Sequence, residues 1–346
     1  RYALSMAGTS IYSVYRRTAR AAAQQRVVKK TSNIDIERAR TDFAYFCDVV
    51  GDKPPATHHK EWHKYLCTGE DSECLIGIGG PNIDILAPRG SAKSTILGLY
   101  TAWAVGVHAL ARKPLKILYI SYTVDVARPK SAAIKRIIEE SKAYKEIFPT
   151  VKIAKGINSN EYWSIDWKFA GIRTAGEEEF TVCCAGLKGA VTSKRSHLCI
   201  IDDAIKSADD IKNRDIRQAM EDNWNSVIVP TMFEGGRAIC LGTRFRHDDI
   251  HNSTFIPANN WVQIVQSAIS VDKNGDEQSY WPEMWSLDYL RDRRRQAPIA
   301  FSFQYQNQVV QTSELSLSPD LIVKGEIATQ FDTLGIGVDL SAGVRE

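Results

Sequence analysis

No apolar run in this sequence approaches the ~18–20 residues needed to span a bilayer, so no membrane partner is expected. No Cys-x-x-Cys pair occurs among Cys47, Cys67, Cys74, Cys183, Cys184, Cys199 and Cys240. The last four fall in expected strands, where a free thiol packs as a small apolar residue, and the set reads as a reducing, intracellular one. Acidic residues are missing from Arg1 to Ile34, while Arg16, Arg17, Arg20, Arg26, Lys29 and Lys30 make a basic stripe. Three readings of that stripe stay open: an arm for phosphates or an acidic partner, a solvated helix face, and a transit-peptide-like leader. The chain opens on Arg1 rather than Met, so the natural start is expected to lie upstream. No internal repeat or low-complexity tract is present. The formal net charge of +3 is too small to establish a nucleic-acid partner.

The most informative stretch is Ala87 to Thr95, A-P-R-G-S-A-K-S-T. An alternating apolar run, Asn82 to Leu86, precedes it, and a helical segment, Ile96 to Val107, follows. A strand, a Gly-containing turn with Lys-Ser and then a helix is the context of a phosphate-binding loop. Its backbone N–H groups and the helix N-terminus face phosphate oxygens. Pro88, Arg89, Gly90, Ser91, Ala92, Lys93, Ser94 and Thr95 are therefore the candidate nucleotide-binding residues. Lys93 would reach the β- and γ-phosphates, and the Ser94 hydroxyl would hold Mg²⁺. Two positions depart from the pattern, because Ala87 and Ala92 stand where glycine is expected. An ordinary strand-to-helix turn is the competing reading of the loop alone.

A second stretch, His197 to Asp203 (H-L-C-I-I-D-D), reads as a buried parallel strand ending in two carboxylates. At the C-terminal edge of a parallel sheet these face the ligand crevice. Asp202 would bind Mg²⁺, and Asp203 would orient or deprotonate water. Together the two motifs point to a P-loop ATPase using ATP and Mg²⁺.

The remaining chain alternates strand and helix, as parallel α/β units do. Helices are expected over 36–49, 58–66, 127–148 and from 211 to 227, and strands over 115–121, 181–185 and 237–241. Residues 157–180 read as an antiparallel excursion or an insertion. Thr243, at the end of a strand, is placed to sense a γ-phosphate. His58 to Trp62 is a candidate for stacking on adenine. His59, His63 and Cys67 recur every four residues, which leaves open a zinc site or a polar helix face. Lys188, Lys194 and Arg195 flank the Asp202 strand and would meet DNA, a neighbouring subunit or solvent. Asp272 to Asp276 is a hairpin turn, and its lack of a sixth-position glycine excludes a calcium loop. A helix is expected after Trp285.

In this order the motifs resemble the large terminase subunit of tailed bacteriophages, over roughly Lys53 to the end. The loop carries Arg89 four residues before Lys93, and I-I-D-D supplies Asp202 and Asp203. Gly242 to Phe245 reads G-T-R-F, and W-P-E-M-W from Trp281 is followed by F-Q-Y-Q-N from Phe303 to Asn307. The resemblance implies an ASCE/RecA-like P-loop NTPase with a mainly parallel sheet flanked by helices. It divides the chain into an N-terminal basic helical segment (1–52), an ATPase domain (53–270), a linker subdomain (271–330) and the first strand of an RNase H-like nuclease (331–346), with Asp339 as its first metal-binding carboxylate. Other nuclease carboxylates are absent, so no nuclease activity is expected of this chain. The resemblance also implies Arg89 as an arginine finger, with Arg195 and Arg244 as further candidates, and Thr243 as the link from nucleotide to motion. The implied partners are double-stranded DNA, the portal protein of the procapsid, the small terminase subunit and copies of itself in a ring, of which five is the expected number. The implied place is the host cytoplasm, docked on the procapsid. Two other readings stay open: a different P-loop translocase or helicase, and a non-catalytic DNA-binding assembly protein with a decayed loop.

Overall fold

The computed structural model describes residues 34–308, apart from 53–54, 68–79, 174–175, 177–178, 190–193, 247, 256–257 and 259. The basic stripe of 1–33, Cys74 and the strand expected around Asp339 lie outside the described residues.

Helices α1 (Ile36–Thr41), α2 (Phe43–Gly51) and α3 (Thr57–Leu66) come first. The single helix expected over 36–49 is split at Asp42, whose carboxylate accepts from Tyr45 N and caps α2. Strand β1 (Asn82–Leu86) leads through the loop into α4 (Lys93–Leu110), and β2 (Ile117–Ser121) follows. The helix expected over 127–148 starts earlier and is broken in two, α5 (Val124–Glu140) and α6 (Lys142–Ile147). The break falls at Ser141, which caps α6 through Tyr144 N. Then come β3 (Ile153–Asn158), β4 (Tyr162–Ile165), β5 (Val182–Gly186), β6 (Ser196–Asp202), α7 (Arg214–Asn223), β7 (Met232–Gly242) and β8 (Trp261–Val265). A hairpin, β9 (Ile269–Val271) and β10 (Glu277–Ser279), closes over the Asp272 turn. The helix expected after Trp285 is two helices, α8 (Leu287–Gln296) and α9 (Pro298–Gln304). They part at Ala297, which precedes a proline and so is turned away from helical angles, with φ −147° and ψ 71°.

The strands form one sheet in the order β3-β4-β5-β2-β6-β7-β1-β8. It is parallel from β5 to β8, and β3 and β4 extend it antiparallel, as the excursion at 157–180 foretold. Neighbouring residues of β2, β6 and β7 enter opposite cores. Tyr119, Ile200 and Ile239 pack toward α4 and α5, while Ile120, Ile201 and Cys240 pack toward α7. Strands buried on both faces have no polar side to alternate, which explains their continuous apolar runs. β7 sits between β1 and β6, so one strand separates the Ala87–Thr95 loop from the acidic pair. This is a mainly parallel sheet flanked by helices, and it brings the loop and the carboxylates to one sheet edge.

Arg237 at the start of that central strand is 2% exposed. Its guanidinium donates to the carbonyls of Pro81, Leu66 and Tyr65, closing the C-terminus of α3 onto the strand that feeds the loop. Arg237→Met should cost roughly 3 kcal/mol or more, since bonds from a charged donor to buried acceptors are lost together. Urea denaturation would measure it.

Candidate functional site: a phosphate loop facing an acidic pair

At the N-cap of α4, Ala92 has φ 62° and ψ 25°, the left-handed conformation. A Cβ there costs about 1–2 kcal/mol, and this is one of the two positions where the sequence departs from glycine. Gly90 has φ 81°, and a Cβ on it would meet Trp285 at 2.7 Å, so glycine is required on two counts. Lys93 is buried, and its Nζ donates to Ala87 O (3.0 Å), Pro88 O (3.1 Å) and Thr243 Oγ1 (3.1 Å). Burial lowers its pKa, and the carboxylates of Asp203 and then Asp202 oppose the shift.

Asp202 ends β6 and is fully buried. Its Oδ1 accepts from Ser94 Oγ at 2.9 Å, and its Oδ2 accepts from Tyr119 OH at 2.8 Å. Lys130 of α5 lies 3.0 Å from Asp202 Oδ2 and 3.8 Å from Asp203 Oδ2. Asp203 has φ 53°, a turn that aspartate tolerates better than most residues. Its side chain remains 39% open. Crowding by surrounding protein raises its pKa, Lys93 pulls it back, and the like charge of Asp202 raises it again. Arg89, Gly90, Ser91, Ala92, Lys93, Ser94, Thr95, Asp203, Thr243 and Lys130 line one cavity of about 400 Å³. Its size is that of a small-ligand site.

The structure thus brings together the loop, Asp202, Asp203 and Thr243, all named from sequence. It adds Tyr119 and Lys130, which no local motif marked; they reach the site only because β2 lies beside β6. Arg89 lines the cavity, but its guanidinium and backbone N–H are both engaged by Gln304 (3.1 and 2.8 Å). Arg244 Nε and Nη2 are buried without a hydrogen-bond partner. The adenine-stacking expectation for His58 to Trp62 needs correction. His58, His59 and Trp62 are buried at 6%, 3% and 0% exposure, so they present no open ring face. Both imidazoles instead bond Ser91 O. The zinc reading of His59, His63 and Cys67 also fails, since among the described residues the only three-residue cluster with convergent ligand atoms is Asp84, Cys240 and His251.

That cluster is buried, with Asp84 on β1 and Cys240 on β7. His251 Nδ1 is 2.8 Å from Asp84 Oδ1, and Gln263 Nε2 donates to Asp84 Oδ2 at 3.0 Å. A Cβ on Gly242 would stand 2.9 Å from His251 Cε1, which explains the glycine that opens G-T-R-F. Burial acts to lower the His251 pKa, but Asp84, with Asp249 helping and Arg244 opposing, raises it overall. A folded pKa above the unfolded one gives stability that is complete below about pH 6.5. That stability is lost as pH rises through the folded value. Wild type should therefore lose stability on that rise. Asp84→Asn should cost about 3–5 kcal/mol at pH 6 and flatten the pH dependence; urea melts at several pH values would show both.

No family model matches the sequence, and no curated protein matches it. Among solved structures, the chain is similar to the large terminase ATPase domain of Thermus phage P74-26, with 15% identity and a TM-score of 0.47 over 77% of this chain and 98% of that one. It is similar to the HK97 bacteriophage large terminase, with 15% identity and a TM-score of 0.47 over 80% and 56% of the two chains. The large terminase of a thermophilic bacteriophage, in complex with ATP-γ-S, matches at 9% identity and a TM-score of 0.44, over 71% and 51%. The chain spans about half the length of the last two, and each likeness is one of fold.

Proposed function

We propose that this chain is the ATPase part of a viral DNA-packaging motor, a large terminase subunit that hydrolyses ATP to move double-stranded DNA. The observation that carries the ATPase reading is the convergence of Lys93, Ser94 and Asp203 on one cavity, with Asp202 bonded to Ser94 behind it, from two strands separated by β7. ATP would lie with its phosphates on the loop from Pro88 to Thr95. Ser94 Oγ and Asp202 Oδ1, two hard oxygen donors 2.9 Å apart, fit a divalent cation. Bound Mg²⁺ would neutralise charge on the β- and γ-phosphate oxygens.

In this reading Lys93 leaves the Ala87 and Pro88 carbonyls for the phosphates while Thr243 keeps contact with its ammonium. Asp203 takes the proton of the attacking water, its raised pKa bringing it toward the working range of a general base. Lys130 balances the two carboxylates and the charge that develops between them. Tyr119 fixes the Asp202 carboxylate from behind. An arginine completes the site: Arg89 once released from Gln304, or Arg244 with its unbonded nitrogens, or one from a neighbour in a ring. Asp339 would belong to a nuclease metal site of a longer protein. DNA phosphates would meet Lys188 and Lys194, and portal, small subunit and neighbouring copies would meet the chain on the procapsid in the host cytoplasm.

The test is steady-state ATP turnover with double-stranded DNA, single-stranded DNA and procapsids. Stimulation by double-stranded DNA or procapsids supports the motor. Stimulation by single strands alone would point to a helicase, and DNA binding without turnover to an assembly protein.

A further inference from the structure

We propose that His58 and His59, clamped by Trp281, set the orientation of the Ser91–Ala92 peptide and so hold the phosphate loop in its anion-binding form. The inference rests on the nucleotide-binding reading above. In a trans peptide the carbonyl of one residue and the N–H of the next point in opposite directions. The Ser91 carbonyl is turned away from the cavity and accepts from His59 Nε2 at 2.8 Å and from His58 Nε2 at 3.3 Å. The donor on His59 is fixed, because its Nδ1 accepts from Ala56 N at 3.1 Å and the ring proton must therefore sit on Nε2. With the carbonyl outward, the Ala92 N–H turns toward the cavity that Ala92 lines.

Alanine does not favour this arrangement. At φ 62° Ala92 is strained. Rotating that one peptide would bring Ala92 to negative φ and swing the Ser91 carbonyl into the cavity, where its oxygen would repel a phosphate. A glycine at this position would have little bias between the two forms. The alanine therefore makes the loop depend on a restraint from outside, and the two imidazoles supply it.

The restraint has a second tier. The His58 and His59 rings lie 3.9 Å apart, and Trp281 stands 5.1 and 5.4 Å from them. Trp281 belongs to the segment that also bonds the loop at Gly90 O, through Trp285 Nε1 at 3.2 Å, and at Arg89, through Gln304. Withdrawal of that segment would uncover the histidines and free the peptide, so phosphate affinity becomes conditional on its docking.

The test is a double-mutant cycle read as the Kd for a fluorescent Mg–ADP analogue. In the Ala92 background His59→Ala should weaken binding by about tenfold, the worth of one well-formed buried hydrogen bond. In the Ala92→Gly background it should weaken binding by less than about twofold, the two positions being coupled. His59→Gln, which keeps a donor near Nε2, should recover binding to within about threefold of wild type. Trp281→Ala should follow His59→Ala. Equal losses in both backgrounds would make His59 a packing residue and overturn the proposal. A crystal structure of ligand-free His59→Ala separates this from failure of the ATPase reading. Negative φ at Ala92 with the Ser91 carbonyl inward supports the brace, and φ retained near +62° overturns it, whatever the nucleotide result. Absence of nucleotide binding by wild type contradicts the ATPase reading and leaves the structural result to decide the brace.

Discussion

Lys93→Ala is expected to reduce ATP turnover by about 10²–10³-fold, the scale on which one preorganised charged donor at a transition state acts. The geometry explains why no neighbour can substitute. The Lys93 ammonium is threaded under the loop and held by Ala87 O, Pro88 O and Thr243 Oγ1. Lys130, another ammonium lining the cavity, is tied to Asp202. Folding should be little affected, by roughly 1 kcal/mol or less in either direction. Removing a buried cation relieves its desolvation, which offsets the loss of its bonds to Ala87 O, Pro88 O and Thr243 Oγ1. Turnover and thermal melts on the same preparations check both halves. A large loss of stability would mean that the lysine is chiefly a structural strut.

Asp203→Asn is expected to lower turnover by about 10²–10⁴-fold, the range of a general base, with nucleotide binding kept or tightened. Asparagine preserves the shape of the φ 53° turn and its backbone bond to Leu241 O. It also removes a negative charge that would face the phosphates in the proposed site. Asp202→Asn should behave differently. Asp202 is the partner of Ser94 and Tyr119, so its loss should weaken Mg²⁺-dependent binding itself. Single-turnover hydrolysis beside equilibrium binding separates the two carboxylates. If Asp203→Asn hydrolyses ATP at the wild-type rate, another group activates the water.

The parts of the fold that sequence disclosed are those with local causes. The buried strands β2, β6 and β7 announce themselves by apolar runs and β1 by its alternation, and the loop and Asp202–Asp203 by their contact with those strands. The hairpin turn at Asp272 was legible from D-K-N-G-D. What stayed hidden depends on partners distant in sequence. β8, W-V-Q-I-V, is a half-buried edge strand whose place beside β1 no local motif marks. Asp42 and Ser141 split expected helices by capping, which apolar periodicity does not register. Tyr119 and Lys130 enter the site through the neighbouring of β2 and β6. His58 to Trp62, upstream of the loop, was a candidate for stacking on adenine, yet α3 buries these rings against Trp281 and turns the imidazoles onto Ser91. Residues 1–33 and 309–346, which carry the basic stripe and Asp339, lie outside the described residues.

The most direct test of the central claim is an equilibrium titration of the full chain with a non-hydrolysable ATP analogue in Mg²⁺, by calorimetry, beside Lys93→Ala. Saturable binding at one site per chain, weakened by chelating the metal and lost in Lys93→Ala, is the predicted result. No binding at millimolar analogue by well-folded wild type, or equal binding by Lys93→Ala, would contradict it.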